Sequence, residues 1–107
     1  MPLTPSIAGV GESALIERIQ RLLPETPCPE TVLGIGDDAA AFRIDDRRLL
    51  LATCDVQVEG VHFRLTDIPP YRLGKRLAAV NLSDIAAMGG RPVAALASLL
   101  LPDDYPA

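Results

Sequence analysis

A chain of 107 residues is the size of one domain, able to bury roughly 60 to 68% of its unfolded surface and too short for two full domains. With 49% hydrophobic and 22% charged residues it has the composition of a globular protein, which excludes a disordered one. Ten Lys and Arg against fourteen Asp and Glu leave a formal charge of −4, which argues against a basic surface for nucleic acid or anionic lipid; a phosphorylated substrate would need metal ions as mediators.

No stretch reaches about 18 apolar residues, and the N-terminus lacks a basic region followed by an apolar run. Neither a membrane span nor a signal peptide is expected, and the chain reads as cytoplasmic. Cys28 and Cys54 form no C-x-x-C pattern and are expected to be reduced and unpaired in that compartment. The ten prolines punctuate elements rather than interrupt them.

Residues 1–10 show no period and are expected to form a flexible arm. From Ser13 to Leu23, Leu15, Ile16, Ile19, Leu22 and Leu23 recur at helical spacing, predicting an amphipathic helix docked on a core, with Gly11 and Ser13 as candidate caps and Pro24 as the stop. A Pro-rich connector follows to Glu30. Ala39 to Ile44 and Leu49 to Asp55 are apolar runs joined by Asp45-Asp46-Arg47-Arg48, the pattern of an antiparallel hairpin. Because the start of one strand lies beside the finish of the other, Asp38 and Asp55 are expected to be neighbours. After a loop through Glu59-Gly60-Val61-His62-Phe63, Pro69-Pro70 precedes a helix from about Tyr71 to Met88, closed by Gly89-Gly90. Val93 to Leu101 reads as strand-like, with a helix left open, and Pro102-Asp103-Asp104 as the opening of another helix.

On the helical wheel of the second helix, Leu73, Leu77, Val80, Ile85 and Met88 share one face, and Arg72, Lys75, Arg76 and Ser83 the other. Asn81 and Asp84 fall inside the apolar face. A carboxylate facing a core costs several kcal/mol unless it is paired, hydrogen-bonded, neutralised or metal-bound. Capping of a neighbouring strand or loop is the simpler account of Asp84. The second account rests on Asp37, Asp38 and Asp55, which the hairpin places at one sheet end with no basic run nearby; converging carboxylates of that kind hold hard divalent cations such as Mg²⁺. Gly36-Asp37-Asp38 by itself reads as a turn. Gly34-Ile35-Gly36 opens neither a P-loop nor a G-x-G-x-x-G fingerprint, since position 39 is Ala39. His62, the one histidine, sits in a loop, where a surface role and a phosphate contact both stay open.

Four segments in this order, Gly34-Ile35-Gly36-Asp37-Asp38-Ala39-Ala40, Thr53-Cys54-Asp55, Val58-Glu59-Gly60-Val61-His62-Phe63 and Ala79-Val80-Asn81-Leu82-Ser83-Asp84-Ile85-Ala86-Ala87-Met88-Gly89, resemble the thiamine-monophosphate kinases, a family of the aminoimidazole ribonucleotide synthetase superfamily. The resemblance runs from about Gly11 to Pro102. It implies transfer of the ATP γ-phosphoryl group to thiamine monophosphate, giving thiamine diphosphate, with several Mg²⁺ ions between protein and phosphates. It implies metal contacts at Asp38, Thr53, Cys54, Asp55 and Asp84, a contact of His62 to the thiamine substrate, and an orienting role for Asp37. The family usually carries a hydroxyl residue where Cys54 stands, and a thiol is a poor Mg²⁺ ligand, although a backbone carbonyl could serve there.

The fold so implied is α/β of the α+β type, a mostly antiparallel sheet covered by helices on one face. Residues 11–107 would be an N-terminal metal- and substrate-binding domain, incomplete at its C-terminal end, with a second domain absent from this chain. The resemblance also implies a homodimer through the N-terminal domain, to which Val93 to Leu101 could contribute, and an inactive 107-residue piece. Two alternatives stand beside it. One is another ATP-dependent enzyme of the superfamily, such as an amidine-forming synthetase, against which the Val-x-Gly-Val-His-Phe loop argues; the other is a non-catalytic binding or dimerisation module.

Overall fold

The computed structural model describes residues 6–23 and 28–105. The chain divides into two compact units, residues 1–52 and 53–107.

A short helix α1, Ile7–Val10, lies within the stretch expected to be a flexible arm, residues 1–5 of which lie outside the described residues, and the chain continues into α2, Glu12–Leu22. Between them the chain reverses at Gly11, whose φ of +78° lies in the region that a side chain disfavours. Leu15 and Ile16 of α2 are half-buried, but Ile19, Leu22 and Leu23 are exposed, so the docked face is narrower than the apolar spacing predicts. The expected stop at Pro24 and the connector through Pro27 lie outside the described residues.

Three strands follow, β1 (Thr31–Leu33), β2 (Ala40–Arg43) and β3 (Leu49–Ala52), in one antiparallel sheet of order β1-β2-β3. The predicted hairpin is β2 and β3, in register from Arg43 opposite Leu49 to Ala40 opposite Ala52. Asp45 closes its turn by accepting from the Arg47 N–H at 3.0 Å and the Arg48 Nε at 2.7 Å. The Arg48 guanidinium, with the Arg47 N–H behind it, holds the Asp45 carboxyl below its ordinary range. Strand β1 is not expected from the sequence pattern. It is three residues long, and its pairing with β2 is irregular, Thr31 facing Phe42 and Leu33 facing Ala41. Among the described residues the buried apolar side chains are Ala39, just before β2, and Ala41 within it, at 3% and 4% exposure. Both cysteines are free thiols, as their spacing predicts.

The second unit is built on α3, Pro70–Ala87. Pro70 occupies the first turn, where a missing N–H costs nothing. At the other end Gly89, with φ of +70°, and the 2.9 Å bond from the Gly90 N–H to the Ile85 carbonyl stop the helix. Leu73, Leu77, Val80, Asn81, Asp84, Ile85 and Met88 are the half-buried positions of this segment, while Arg72, Lys75, Arg76 and Ser83 are exposed. The two polar residues therefore lie on the packed face.

Three expectations are corrected by the structure. The second hairpin strand ends at Ala52 rather than Asp55, because the polar groups of residues 53–55 turn to α3 instead of continuing a ladder. Val93 to Leu101 is not a strand or a helix: it runs without regular hydrogen bonding, and Val93, Leu96 and Leu100 are 85%, 104% and 92% exposed. A strand exists only against a partner, and this segment has none among the described residues. Residues 103–104 make a turn, not a helical start. No helix among the described residues is long and apolar enough to cross a membrane.

Candidate metal centre

Helix α3 carries Asn81 and Asp84 three residues apart, hence on one face. The segment leaving β3 is fastened to both. The Thr53 hydroxyl donates to Asp84 Oδ2 at 2.9 Å, and the Asp55 backbone N–H donates to Asn81 Oδ1 at 2.9 Å. Asn81 Nδ2 donates in turn to the Leu77 carbonyl one turn back, also at 2.9 Å, which fixes the amide with its oxygen toward Asp55. Asp55 Oδ1 accepts the Val56 N–H at 3.0 Å. Two side chains of one helix thus clasp a three-residue segment about thirty positions earlier, leaving Cys54, exposed, between the two clasped residues.

The donor set tests whether a hard cation suits this place. Thr53 and Asp84 present oxygen, and their 2.9 Å separation matches the roughly 3 Å between two neighbouring oxygens that each lie about 2.1 Å from a six-coordinate Mg²⁺. Asp55 adds a further exposed carboxylate. The Cys54 thiol does not fit such an ion. The oxygens of Thr53, Asp55 and Asp84 do.

In the first unit Asp37 and Asp38 follow Gly36, whose φ is +118°. Asp37 Oδ1 accepts the Asp38 backbone N–H at 2.9 Å, so Asp37 holds its neighbour's backbone. Among the described residues no three His, Cys, Asp or Glu side chains gather as a metal cage would. Thr53 and Asp84 are brought together, Asp55 is tied to the same helix through Asn81, and Asp38 belongs to the other unit.

His62 stands in a tight loop. The Val58 N–H donates to its Nδ1 at 3.0 Å, and the Val58 carbonyl accepts the His62 N–H at 2.9 Å. Gly60, at φ +77°, makes the turn, and its N–H reaches the Phe63 carbonyl at 2.8 Å. With Nδ1 accepting, the proton of the neutral ring sits on Nε2, which is left as a donor. Asn81 is the residue to which the sequence pattern assigns no task; its signal is an amide inside an apolar face, one turn before Asp84.

The fold and these sites define a class. Residues 36–107 match the family described as AIR synthase related protein, N-terminal domain, and the chain belongs to that family. Individual relatives narrow the likeness. The chain is 38% identical over 99 residues to a thiamine-monophosphate kinase of Synechococcus elongatus, covering 92% of this chain and 28% of that protein. It is 48% identical over 71 residues to the thiamine-monophosphate kinase of Escherichia coli K12, covering 66% and 22%. Against that of Mycobacterium tuberculosis it is 38% identical over 105 residues, covering 97% and 30%. The chain thus spans less than a third of the length of these curated relatives. No solved structure matches it significantly.

Proposed function

We propose that the complete polypeptide carrying this chain is a cytoplasmic kinase that transfers the γ-phosphoryl group of ATP to thiamine monophosphate, giving thiamine diphosphate, with Mg²⁺ as cofactor. The observation that supports it most is the double clasp of Thr53 and Asp55 onto Asp84 and Asn81, an oxygen-rich corner in a chain whose relatives bear that kinase's name.

In this reading Asp38, Thr53, Asp55 and Asp84 hold the ions through oxygen, and Cys54 contributes its backbone carbonyl rather than its thiol. Magnesium held by these residues would offset the repulsion between two phosphate-bearing anions and stabilise the charge of in-line transfer. The chain's own residues position. Thr53 fixes the Asp84 carboxylate, Asn81 fixes the backbone of Asp55, and Asp37 fixes that of Asp38. His62, held through Nδ1, offers its Nε2 proton to an acceptor on the thiamine substrate. The attacking phosphate oxygen is already ionised, so no strong general base is required. The exposed apolar Leu96, Leu99 and Leu100 support pairing of two copies as a homodimer.

Incubating the complete polypeptide with thiamine monophosphate and γ-labelled ATP tests the proposal. The label should appear in thiamine diphosphate with Mg²⁺ and vanish with EDTA. Turnover undiminished by EDTA, or label released only as inorganic phosphate with none in thiamine diphosphate, would overturn it.

A further inference from the structure

Helix α3 has a second face that the metal site does not use. Arg72, Lys75 and Arg76 are all exposed there, three of the chain's ten cationic side chains within five residues. Among the described residues neither Arg72 nor Arg76 has an ion-pair or hydrogen-bond partner, and Lys75 rests over the Tyr71 ring, 5.9 Å from its centre.

This placement runs against local energetics twice. Arg72 and Arg76 are four apart on the helix, where like charges repel. Arg72 lies in the first turn, where the helix dipole favours anions, with Lys75 and Arg76 in the second, and the first turn holds no acidic residue. A solvated face would have been better served by glutamates. Both penalties vanish when an anion lies on the face, because the dipole and the three cations then act in the same direction. The ligands of the proposed reaction are polyanions, and the chain they approach carries a net charge of −4.

We propose that Arg72, Lys75 and Arg76 form a polyphosphate-binding patch that captures the phosphate tail of an incoming nucleotide. Arg72 and Arg76, about 6 Å apart along the helix axis, and the shorter ammonium of Lys75 suit a chain of phosphates better than a single one. The patch rests on the kinase reading for its purpose but not for its chemistry, since the cations need no divalent ion.

Equilibrium dialysis of the complete polypeptide in EDTA isolates the patch from the metal site. Tripolyphosphate and ATP should both bind, weakly and with an affinity that falls as salt rises, while adenosine should not. The variant Arg72→Gln/Lys75→Gln/Arg76→Gln should weaken tripolyphosphate and ATP alike by about five- to tenfold. Arg72→Lys/Lys75→Arg/Arg76→Lys, which keeps the charge, should retain binding and shows whether the first variant is merely unfolded. Equal tripolyphosphate binding by the neutral variant overturns the patch. Weakening for ATP alone also overturns it, by pointing to the base on the exposed Tyr71 ring. Because metal is absent, these results stand whether or not the protein makes thiamine diphosphate; a kinase with an unaltered patch result, or a patch without kinase activity, separates the two proposals.

Discussion

Thr53 and Asp84 are joined by a 2.9 Å hydrogen bond across 31 positions of sequence, the hydroxyl donating and the carboxylate accepting. The bond does two things. It satisfies one oxygen of a carboxylate on the packed face of α3, and it orients that carboxylate relative to the segment that carries Asp55.

Asp84→Asn keeps an acceptor for Thr53 and removes the charge. In the complete polypeptide it should lower the rate of thiamine diphosphate formation by about 100- to 1,000-fold, the several kcal/mol that a metal contributes to such a transition state. Thr53→Val should cost about tenfold, and Thr53→Ser much less, because the hydroxyl is retained. Steady-state rates at saturating ATP and Mg²⁺ check this; an Asp84→Asn protein of normal rate would refute the assignment.

Asn81→Leu fits the apolar face but removes the acceptor of the Asp55 N–H, while the Leu77 carbonyl loses only its second donor and keeps its helical bond. The half-buried amide makes both bonds, so the variant should lose about 1–3 kcal/mol in urea unfolding. An unchanged midpoint would show that the clasp adds no stability.

The packed face of α3 was legible because a 3.6-residue period survives in the text, even with Asn81 and Asp84 written into it. The hairpin was legible as two apolar runs around a charged turn. Their ends were not, since nothing in Thr53-Cys54-Asp55 says that its hydrogen bonds go to a helix about thirty residues on rather than to a neighbouring strand. Strand β1 is too short to show a period, and its pairing is irregular. Val93 to Leu101 is an apolar run that reads as strand-like with a helix left open by its Ala and Leu content, and neither reading can supply the partner that makes a strand. Asp84 stood out as a charge in an apolar stripe, whereas the task of Asn81 depends on a backbone N–H whose place only the fold defines.

Asp45 sets a pH dependence. Its carboxyl is held below the ordinary 3.8 by the Arg48 guanidinium and then by the Arg47 N–H. A carboxyl with a lower pKa folded than unfolded contributes stability that is present above pH 3.8 and is lost as pH falls through the folded value. Asp45→Asn should therefore flatten the acid limb of the stability curve below about pH 4 while leaving its slope near neutrality unchanged. Melting curves from pH 2 to 7 would show it, and parallel acid limbs would sink it.

Gln57 presents a buried Oε1 without a hydrogen-bond partner among the described residues, in the loop between Asp55 and His62. Gln57→Leu removes that unsatisfied acceptor at similar volume. The substitution should raise stability by about 1 kcal/mol, measured as a higher urea midpoint at unchanged slope. A lower midpoint would mean that the amide has a partner the loop acquires in solution.

His62 allows its two nitrogens to be tested apart. Nδ1 accepts the Val58 N–H at 3.0 Å and so holds the loop, while Nε2 is the proposed substrate donor. The Oδ1 of an asparagine can reach the place of Nδ1, but nothing in that side chain reaches the place of Nε2. His62→Asn should therefore keep the melting temperature while raising the KM for thiamine monophosphate about tenfold, the worth of roughly one hydrogen bond to a charged or strongly polar group. His62→Ala should lose both, with a lower melting temperature and the same rise in KM. If His62→Asn binds substrate normally while His62→Ala does not, the ring acts through the shape of the loop, and the contact with thiamine monophosphate belongs to another residue.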